Sequence, residues 1–124
     1  MIADPISVPP NISIKDFVEN YVYQSYHHFY PVTDNGVLLG YIGIHEVKSI
    51  PHTAWEKTLV NEVMVSNITS ITVTAETSAL DALNLMNQSD SPMLMVVDGP
   101  KLMGIITNQN LFKFISLKLE LEGG

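Results

Sequence analysis

The chain has 124 residues, with six Lys, no Arg and thirteen Asp or Glu, so its formal net charge at pH 7 is −7. This balance disfavours a nucleic-acid partner, because such complexes neutralise many phosphates, and the absence of Cys excludes disulfides and cysteine-ligated zinc. At 46% hydrophobic and 15% charged residues, the composition is that of a folded globular chain. No apolar run reaches the roughly 20 residues that span a bilayer. We therefore expect a soluble, cytoplasmic protein with no direct membrane insertion.

The first half of the chain predicts a short strand around Ser7 and Val8, a helix, two strands and a second helix, in that order. Ser13 has a carboxylate three positions on, at Asp16, which is the pattern of a capped helix start, and apolar residues at helical spacing follow it. Strands are predicted over 29–33 and 37–44, on either side of a turn at 34–36 that contains Asn-Gly. A short helix is expected over 45–49.

The second half repeats this order after a predicted connector. Residues 51–62 form the connector, because Ile-Pro at its start does not continue a helix easily. Ser78 and Asp81 then repeat the capping pattern, strands are predicted over 93–97 and 102–107 around an Asp-Gly turn, and a last helix is expected over 109–119.

The two halves therefore indicate an internal repeat. The segment that starts at Val8 corresponds in chemistry to the one that starts at Val73, 65 positions later, and Gly40 corresponds to Gly104 with a slip of one position. Halves of about 60 residues are marginal alone. The sequence predicts an α/β (α+β) fold of two β-α-β-β-α repeats, 1–50 and 63–124, packed with pseudo-twofold symmetry around a shared core.

This arrangement resembles a tandem CBS-domain pair, also called a Bateman module. The resemblance lies in the repeated capped helix, the strand ends Pro31-Val32-Thr33-Asp34 and Val96-Val97-Asp98, and the segments 40–47 and 104–111. It implies a non-catalytic regulatory module that binds AMP, ADP, ATP or S-adenosylmethionine in clefts between the repeats, requires no cofactor, and controls an attached or partner protein.

The connector region resembles that of CBS pairs attached to membrane-embedded site-2-type (M50) zinc proteases. The similar residues are Ile50-Pro51-His52-Thr53-Ala54-Trp55-Glu56-Lys57-Thr58 and Val60-Asn61-Glu62-Val63-Met64. This resemblance implies that the chain is the cytoplasmic regulatory tail of such a protease. The catalytic domain would lie outside the chain, which has no His-Glu-x-x-His.

The family's phosphate and ribose contacts come from a Gly-h-h-Thr/Ser-x-x-Asp segment (h apolar) between a strand and a helix. The hydroxyl meets phosphate near the helix N-terminus and the Asp accepts from the ribose. The matching positions here are Gly43 and Glu46 in the first copy, and Thr107 and Asn110 in the second. Neither copy is complete, since Gly43 has no hydroxyl, Glu46 is longer than Asp, and Asn110 accepts hydrogen bonds without a charge.

The resemblance also assigns an adenine pocket in each half. The matching residues are Ser7, Val8, Tyr30, Pro31 and Val32, and Thr72, Val73, Leu94, Met95 and Val96. The alternative for each of them is a place in the hydrophobic core. The cations available for phosphate are Lys48, Lys101 and a protonated His45, which suits a monophosphate or an uncharged adenosine derivative better than a triphosphate.

Other functions have weaker signals. Adjacent His27 and His28 point to opposite sides of an extended chain, so we predict no metal site, and no catalytic constellation is evident. Trp55 is interpreted as a plug over the seam between the halves, or else as a dimer contact. We expect a homodimer formed through helix faces. The rival hypothesis is a ligand-free dimerisation or interaction module with degenerate nucleotide sites.

Overall fold

This computed structural model describes residues 2–3, 5–89, 91 and 93–123, without the side chains of Ile2, Ala3, Asn110, Leu111 and Phe114. The chain divides into two compact units. The first unit is Ile6–Ile68, and the second unit is Thr69–Gly124 together with Met1–Pro5. Both units contain helices and strands, which confirms the predicted α/β class.

The strands of the described residues are β1 (Ile2–Ala3), β2 (Phe29–Asp34), β3 (Val37–Gly43), β4 (Thr72–Thr74), β5 (Met93–Asp98) and β6 (Lys101–Thr107). Their α-helices are α1 (Ile14–Phe17), α2 (Tyr23–Ser25), α3 (Ile44–Lys48), α4 (Val60–Val63), α5 (Ala79–Ser89) and α6 (Asn108–Glu122). A π-helical turn (Val18–Val22) joins α1 to α2, and short 3-10 turns occur at His52–Ala54 and Thr69–Ile71. Across these ranges, no helix combines the length and the apolar character needed to cross a bilayer.

The first unit is built around an antiparallel hairpin of β2 and β3. Its two-residue turn at Asn35 and Gly36 has positive φ at both positions, 52° and 83°, as a tight hairpin turn requires, and this confirms the predicted turn. The predicted short first strand is reduced to a single parallel bridge between Val8 and Val32.

The first helix begins as the sequence predicts, because the Ser13 hydroxyl accepts a hydrogen bond from the Asp16 backbone N–H at 3.1 Å. Ile14 and Phe17 are fully buried, and their helix packs on the hairpin, where Phe17 meets Tyr30 edge to face at 5.3 Å. The helix then widens into the π turn and ends at Tyr26, which is left-handed with φ of 62°.

The segment predicted as a connector packs into the first unit. The Ile14 backbone N–H donates to the carbonyl of Thr58 at 2.8 Å, and the Val60 N–H donates to the carbonyl of Ile12 at 2.9 Å. Val60 is fully buried. These contacts make the segment part of the hydrophobic core of its unit.

The second unit has β4 parallel to β5, β5 antiparallel to β6, and β1 antiparallel to β6. Residues 93–96 are buried in an unbroken apolar run, as expected of a strand covered on both faces. The Ser78 hydroxyl accepts from the Asp81 N–H at 3.1 Å, so the second predicted cap is also confirmed. The first strand, β1, was not predicted, because two residues are too few for a periodic pattern.

Candidate functional site

Each unit contains a strand that runs directly into a helix. In the first unit β3 ends at Gly43 and α3 begins at Ile44, and in the second β6 ends at Thr107 and α6 begins at Asn108. The first backbone N–H groups of a helix have no partner within it, and they carry a partial positive charge. These junctions are therefore the places in each unit where an anionic group of a ligand is favoured.

In the first unit this junction is already capped by a side chain of the protein. Glu46 Oε1 accepts a hydrogen bond from the Gly43 backbone N–H at 2.8 Å. The carboxylate thus satisfies a backbone donor at the start of α3 and places a negative charge at the helix N-terminus. A phosphate at the same position would have to compete with this carboxylate.

Close packing explains why the motif's hydroxyl position is glycine in the first unit. A Cβ atom on Gly43 would lie 2.7 Å from the carbonyl oxygen of His28 and 3.2 Å from Cδ1 of Phe29. The Ile44 N–H donates to the same His28 carbonyl at 3.1 Å. Any side chain at position 43 would therefore force the backbone at His28, directly before β2, to move.

The other predicted residues of the first unit lie on two neighbouring segments, the one around Val8 and strand β2. The Val8 N–H donates to the Pro31 carbonyl at 2.9 Å, and the Thr33 hydroxyl donates to the Ser7 hydroxyl at 3.2 Å. Val8, Pro31 and Val32 are buried, whereas Ser7 is half-buried. Thr33 was not predicted as a site residue, although its place directly after Val32 in the strand is a signal that could have found it.

Tyr30 has a structural role in the first unit. Its side chain is 0% exposed, and its hydroxyl donates to the Tyr21 carbonyl and accepts from the His27 N–H, both at 3.1 Å. Burial raises the pKa of Tyr30 above its ordinary value. Its ring and hydroxyl are thus committed to the core, and only its backbone could contact a ligand.

In the second unit the predicted residues occupy neighbouring strands. Thr72 lies opposite Met95, and Val73 opposite Val96, on parallel β4 and β5, while Thr107 lies opposite Met93 on β6. Thr72 and Thr107 are half-buried. The side chains of Leu94, Met95 and Val96 are buried in the core, so these three could reach a ligand only through their backbones. The Asn110 backbone lies in the first turn of α6, but its side chain falls outside the described part of the chain.

Two of the three candidate cations, Lys101 and Lys48, lie away from these junctions. Lys101 opens β6, the strand that Thr107 ends, so about 20 Å of extended chain separates them at ~3.3 Å per residue. Lys48 stands at the C-terminal end of α3, the end opposite the junction, while His45 lies exposed in its first turn. In the described ranges no group of three or more His, Asp or Glu side chains is arranged to hold a metal ion.

Comparison with known proteins defines the class. The sequence matches the CBS domain over residues 1–52 and 60–117, which together make up most of the chain. The protein therefore belongs to the CBS domain family, as the repeat and the junction motifs predicted. CBS domains are regulatory and have no catalytic activity, so this chain is a regulatory module rather than an enzyme.

Two curated relatives come from Methanocaldococcus jannaschii. The protein MJ1232 is 32% identical over 117 residues, covering 90% of this chain and 36% of its own length. The zinc metalloprotease MJ0392 is 31% identical over 125 aligned positions, covering 98% of this chain and 32% of its own length. The chain thus spans about a third of the curated relatives that it matches.

Solved structures share the fold at low sequence identity. A CBS-domain protein from Bacillus anthracis has a TM-score of 0.84 at 22% identity, covering 95% of this chain and 90% of its own. The protein CBSX2, solved in complex with AMP, has a TM-score of 0.82 at 23% identity, covering 97% of this chain and 94% of its own. These similarities confirm the CBS fold.

Proposed function

We propose that this CBS pair binds an adenosine-containing ligand, one of AMP, ADP, ATP or S-adenosylmethionine, and uses the binding to control an attached or partner protein. The β6–α6 junction supports this proposal most directly. Thr107 is a half-buried hydroxyl residue at the last position of β6, and the 15-residue helix α6 starts at the next residue. A phosphate at this point would meet both the hydroxyl and the helix N-terminus. CBSX2, which shares the fold, was solved with AMP.

The two junctions are not chemically equal, and this difference sets the expected stoichiometry. Thr107 with Asn110, supported by Thr72 and the backbone of Met95, would form the second unit's contacts. The corresponding first-unit set is Ser7, Tyr30, Pro31, Gly43 and Glu46, where the Glu46 cap occupies the helix start. We expect one nucleotide per chain, and a monophosphate in preference to a triphosphate, because Lys101 stands at the far end of β6.

Calorimetric titration with the four ligands tests the proposal. Loss of a hydrogen bond to a charged phosphate weakens binding by about 1.5 to 3 kcal/mol, so Thr107→Ala should raise the Kd for AMP roughly tenfold or more. Thr74→Ala is the matched control, since this exposed threonine lies at the end of β4, and its Kd should equal the parent value. Asn110→Asp should change affinity by restoring the family's acid. Absence of heat with all four ligands would overturn the proposal.

We further propose that the regulated protein is a membrane zinc protease and that the module lies on its cytoplasmic side. The 31% identity with zinc metalloprotease MJ0392 extends over 98% of this chain, which supports this assignment. A chimera in which this chain replaces the matching third of that protease tests it. Its proteolytic rate should change when AMP is added, and Thr107→Ala should abolish the change. A rate that AMP leaves unaltered would contradict the proposed control.

A ligand-free dimerisation module is the second candidate, and two observations favour it. The Glu46 cap occupies one junction, and apolar side chains are exposed on the helices of the second unit, among them Leu80 at 65% and Phe112 at 77%. Sedimentation should then show a homodimer that Leu80→Glu dissociates, while Leu121→Glu, at the exposed end of α6, leaves it intact. A monomer at all concentrations would exclude this candidate.

A further inference from the structure

The first unit carries a groove that none of the proposed nucleotide contacts uses. Its volume is about 360 Å³, and it is lined by three segments of this unit. Val18 and Val22 come from the π turn, Ile44 and Val47 from α3, and Trp55 from the segment that follows. The lining is mostly apolar, and the volume lies at the lower end of the range typical of small-molecule sites.

One part of this lining is a fixed aromatic surface. Trp55 Nε1 donates to the Ile50 carbonyl at 3.0 Å, and the indole ring stacks on His52 with ring centres 4.1 Å apart and planes 25° apart. The ring is therefore held in place within its own unit. A site whose aromatic surface is already ordered loses less conformational freedom when a ligand binds.

Among the described residues of the lining, Lys48 is the charged one. Lys48 and His52 are the basic residues among those that line the groove, and none of the described lining residues is acidic. This contrasts with the whole chain, whose formal net charge is −7. Lys48 is exposed, and no ion pair involving it occurs within the described residues.

We propose that this groove binds a small amphipathic carboxylate. An apolar body of about six to ten carbon atoms would cover the valines, Ile44 and the indole, and the carboxylate would lie beside Lys48 and His52. A cationic amphiphile would be repelled by the ammonium group of Lys48, and a neutral one would gain only the apolar contact. The site does not depend on nucleotide binding, because it involves neither junction's ligand contacts.

Trp55 is the single tryptophan of the chain, so its fluorescence reports on the groove directly. The probes are octanoate, octan-1-ol and octylammonium, each kept below the concentration at which it forms micelles. Octanoate should give a saturable change at pH 7 and bind about tenfold more tightly than octan-1-ol, with octylammonium weakest, since a charge-assisted contact contributes about one decade of affinity.

Variants separate the charge contribution from folding. Lys48→Met should raise the octanoate Kd about tenfold and leave that of octan-1-ol unchanged. Lys57→Met is the matched control, because this exposed lysine of the same unit does not line the groove, and it should bind octanoate as the parent does. Tyr23→Glu places a carboxylate at an exposed lining position and should weaken octanoate binding while the far-UV circular dichroism stays the same.

Two results would overturn the proposal. One is equal affinity for octanoate and octan-1-ol, or no saturable change in fluorescence with either. The other is a dimer that Lys48→Met dissociates, in a protein that binds no octanoate, because the groove would then be a contact between two copies of the chain.

Discussion

Removing the Tyr30 hydroxyl should show how much its hydrogen bonds between the hairpin and the first helical segment contribute to the free energy of unfolding. This hydroxyl bridges the carbonyl of Tyr21, in the π turn, and the backbone N–H of His27, each at 3.1 Å. In Tyr30→Phe the edge-to-face contact of the ring with Phe17 remains, and the hydrogen bonds of the hydroxyl disappear, including the one with the Ser25 side chain. The variant therefore isolates one polar contact in an otherwise unchanged core.

The expected cost follows from the burial of this group. Each hydrogen bond contributes about 0.5 to 1.5 kcal/mol net, and a partner left unsatisfied in a buried place costs more, so we expect the free energy of unfolding to fall by about 2 kcal/mol. Tyr26→Phe is the control that removes the same atom from a side chain that is 81% exposed. Its effect should stay within about 0.5 kcal/mol.

Urea denaturation followed by Trp55 fluorescence measures this difference, since the tryptophan lies in the same unit as Tyr30. With a slope of about 2 kcal/mol per molar urea, the midpoint for Tyr30→Phe should fall by about 1 M. A coincident transition in far-UV circular dichroism would justify the two-state treatment. Equal midpoints for Tyr30→Phe and Tyr26→Phe would refute the reasoning, because the buried hydroxyl would then contribute nothing that an exposed one does not.

Three further predictions concern caps, a close backbone contact and pH. The free energy of unfolding should fall by about 1 kcal/mol in Ser13→Ala and in Ser78→Ala, because each serine hydroxyl accepts a hydrogen bond from the backbone N–H three residues on. Urea titration measures this change, and an unchanged midpoint would show that the cap does not contribute to stability. Gly40→Ala would place a Cβ against the carbonyl oxygen of Val65. The free energy of unfolding should therefore fall by about 2 kcal/mol, and the Val65 amide should exchange faster with solvent. Unaltered exchange would argue against the clash. Burial raises the pKa of Tyr30, so the folded state keeps the hydroxyl proton at a pH where the unfolded chain has lost it. The free energy of unfolding should therefore stay constant below the ordinary tyrosine pKa of 10.0 and fall above it, less steeply in Tyr30→Phe. Parallel curves of stability against pH for the parent and Tyr30→Phe would contradict this.

The first-unit junction shows how a family motif can be present in sequence and altered in chemistry. The alignment of Gly43 and Glu46 with the motif followed from the resemblance to CBS pairs. Their physical roles depend on contacts with His28, directly before β2, and with Phe29, its first residue. The sequence therefore predicted the location of the junction but not that a protein carboxylate occupies its helix start.

Local signals were sufficient to predict both serine caps and the Asn-Gly turn. Each of these depends on residues within four positions of one another, and hydrogen bonds over such short separations form with little loss of chain entropy. The ends of the elements were less certain. Helix α6 extends from Asn108 to Glu122 beyond the predicted 109–119, because residues 117–122 alternate leucine with charged residues, a spacing that does not mark the end of a helix.

The fold of the remaining parts depends on contacts between distant residues. The π turn at Val18–Val22 has the same apolar spacing as an ordinary helix, so the sequence alone does not distinguish the two. The predicted connector packs beneath α1 through bonds between residues more than 40 positions apart. The groove likewise brings Val18 together with Trp55. Such sites exist only after the chain has packed, because their shape and charge are set by which distant side chains become neighbours.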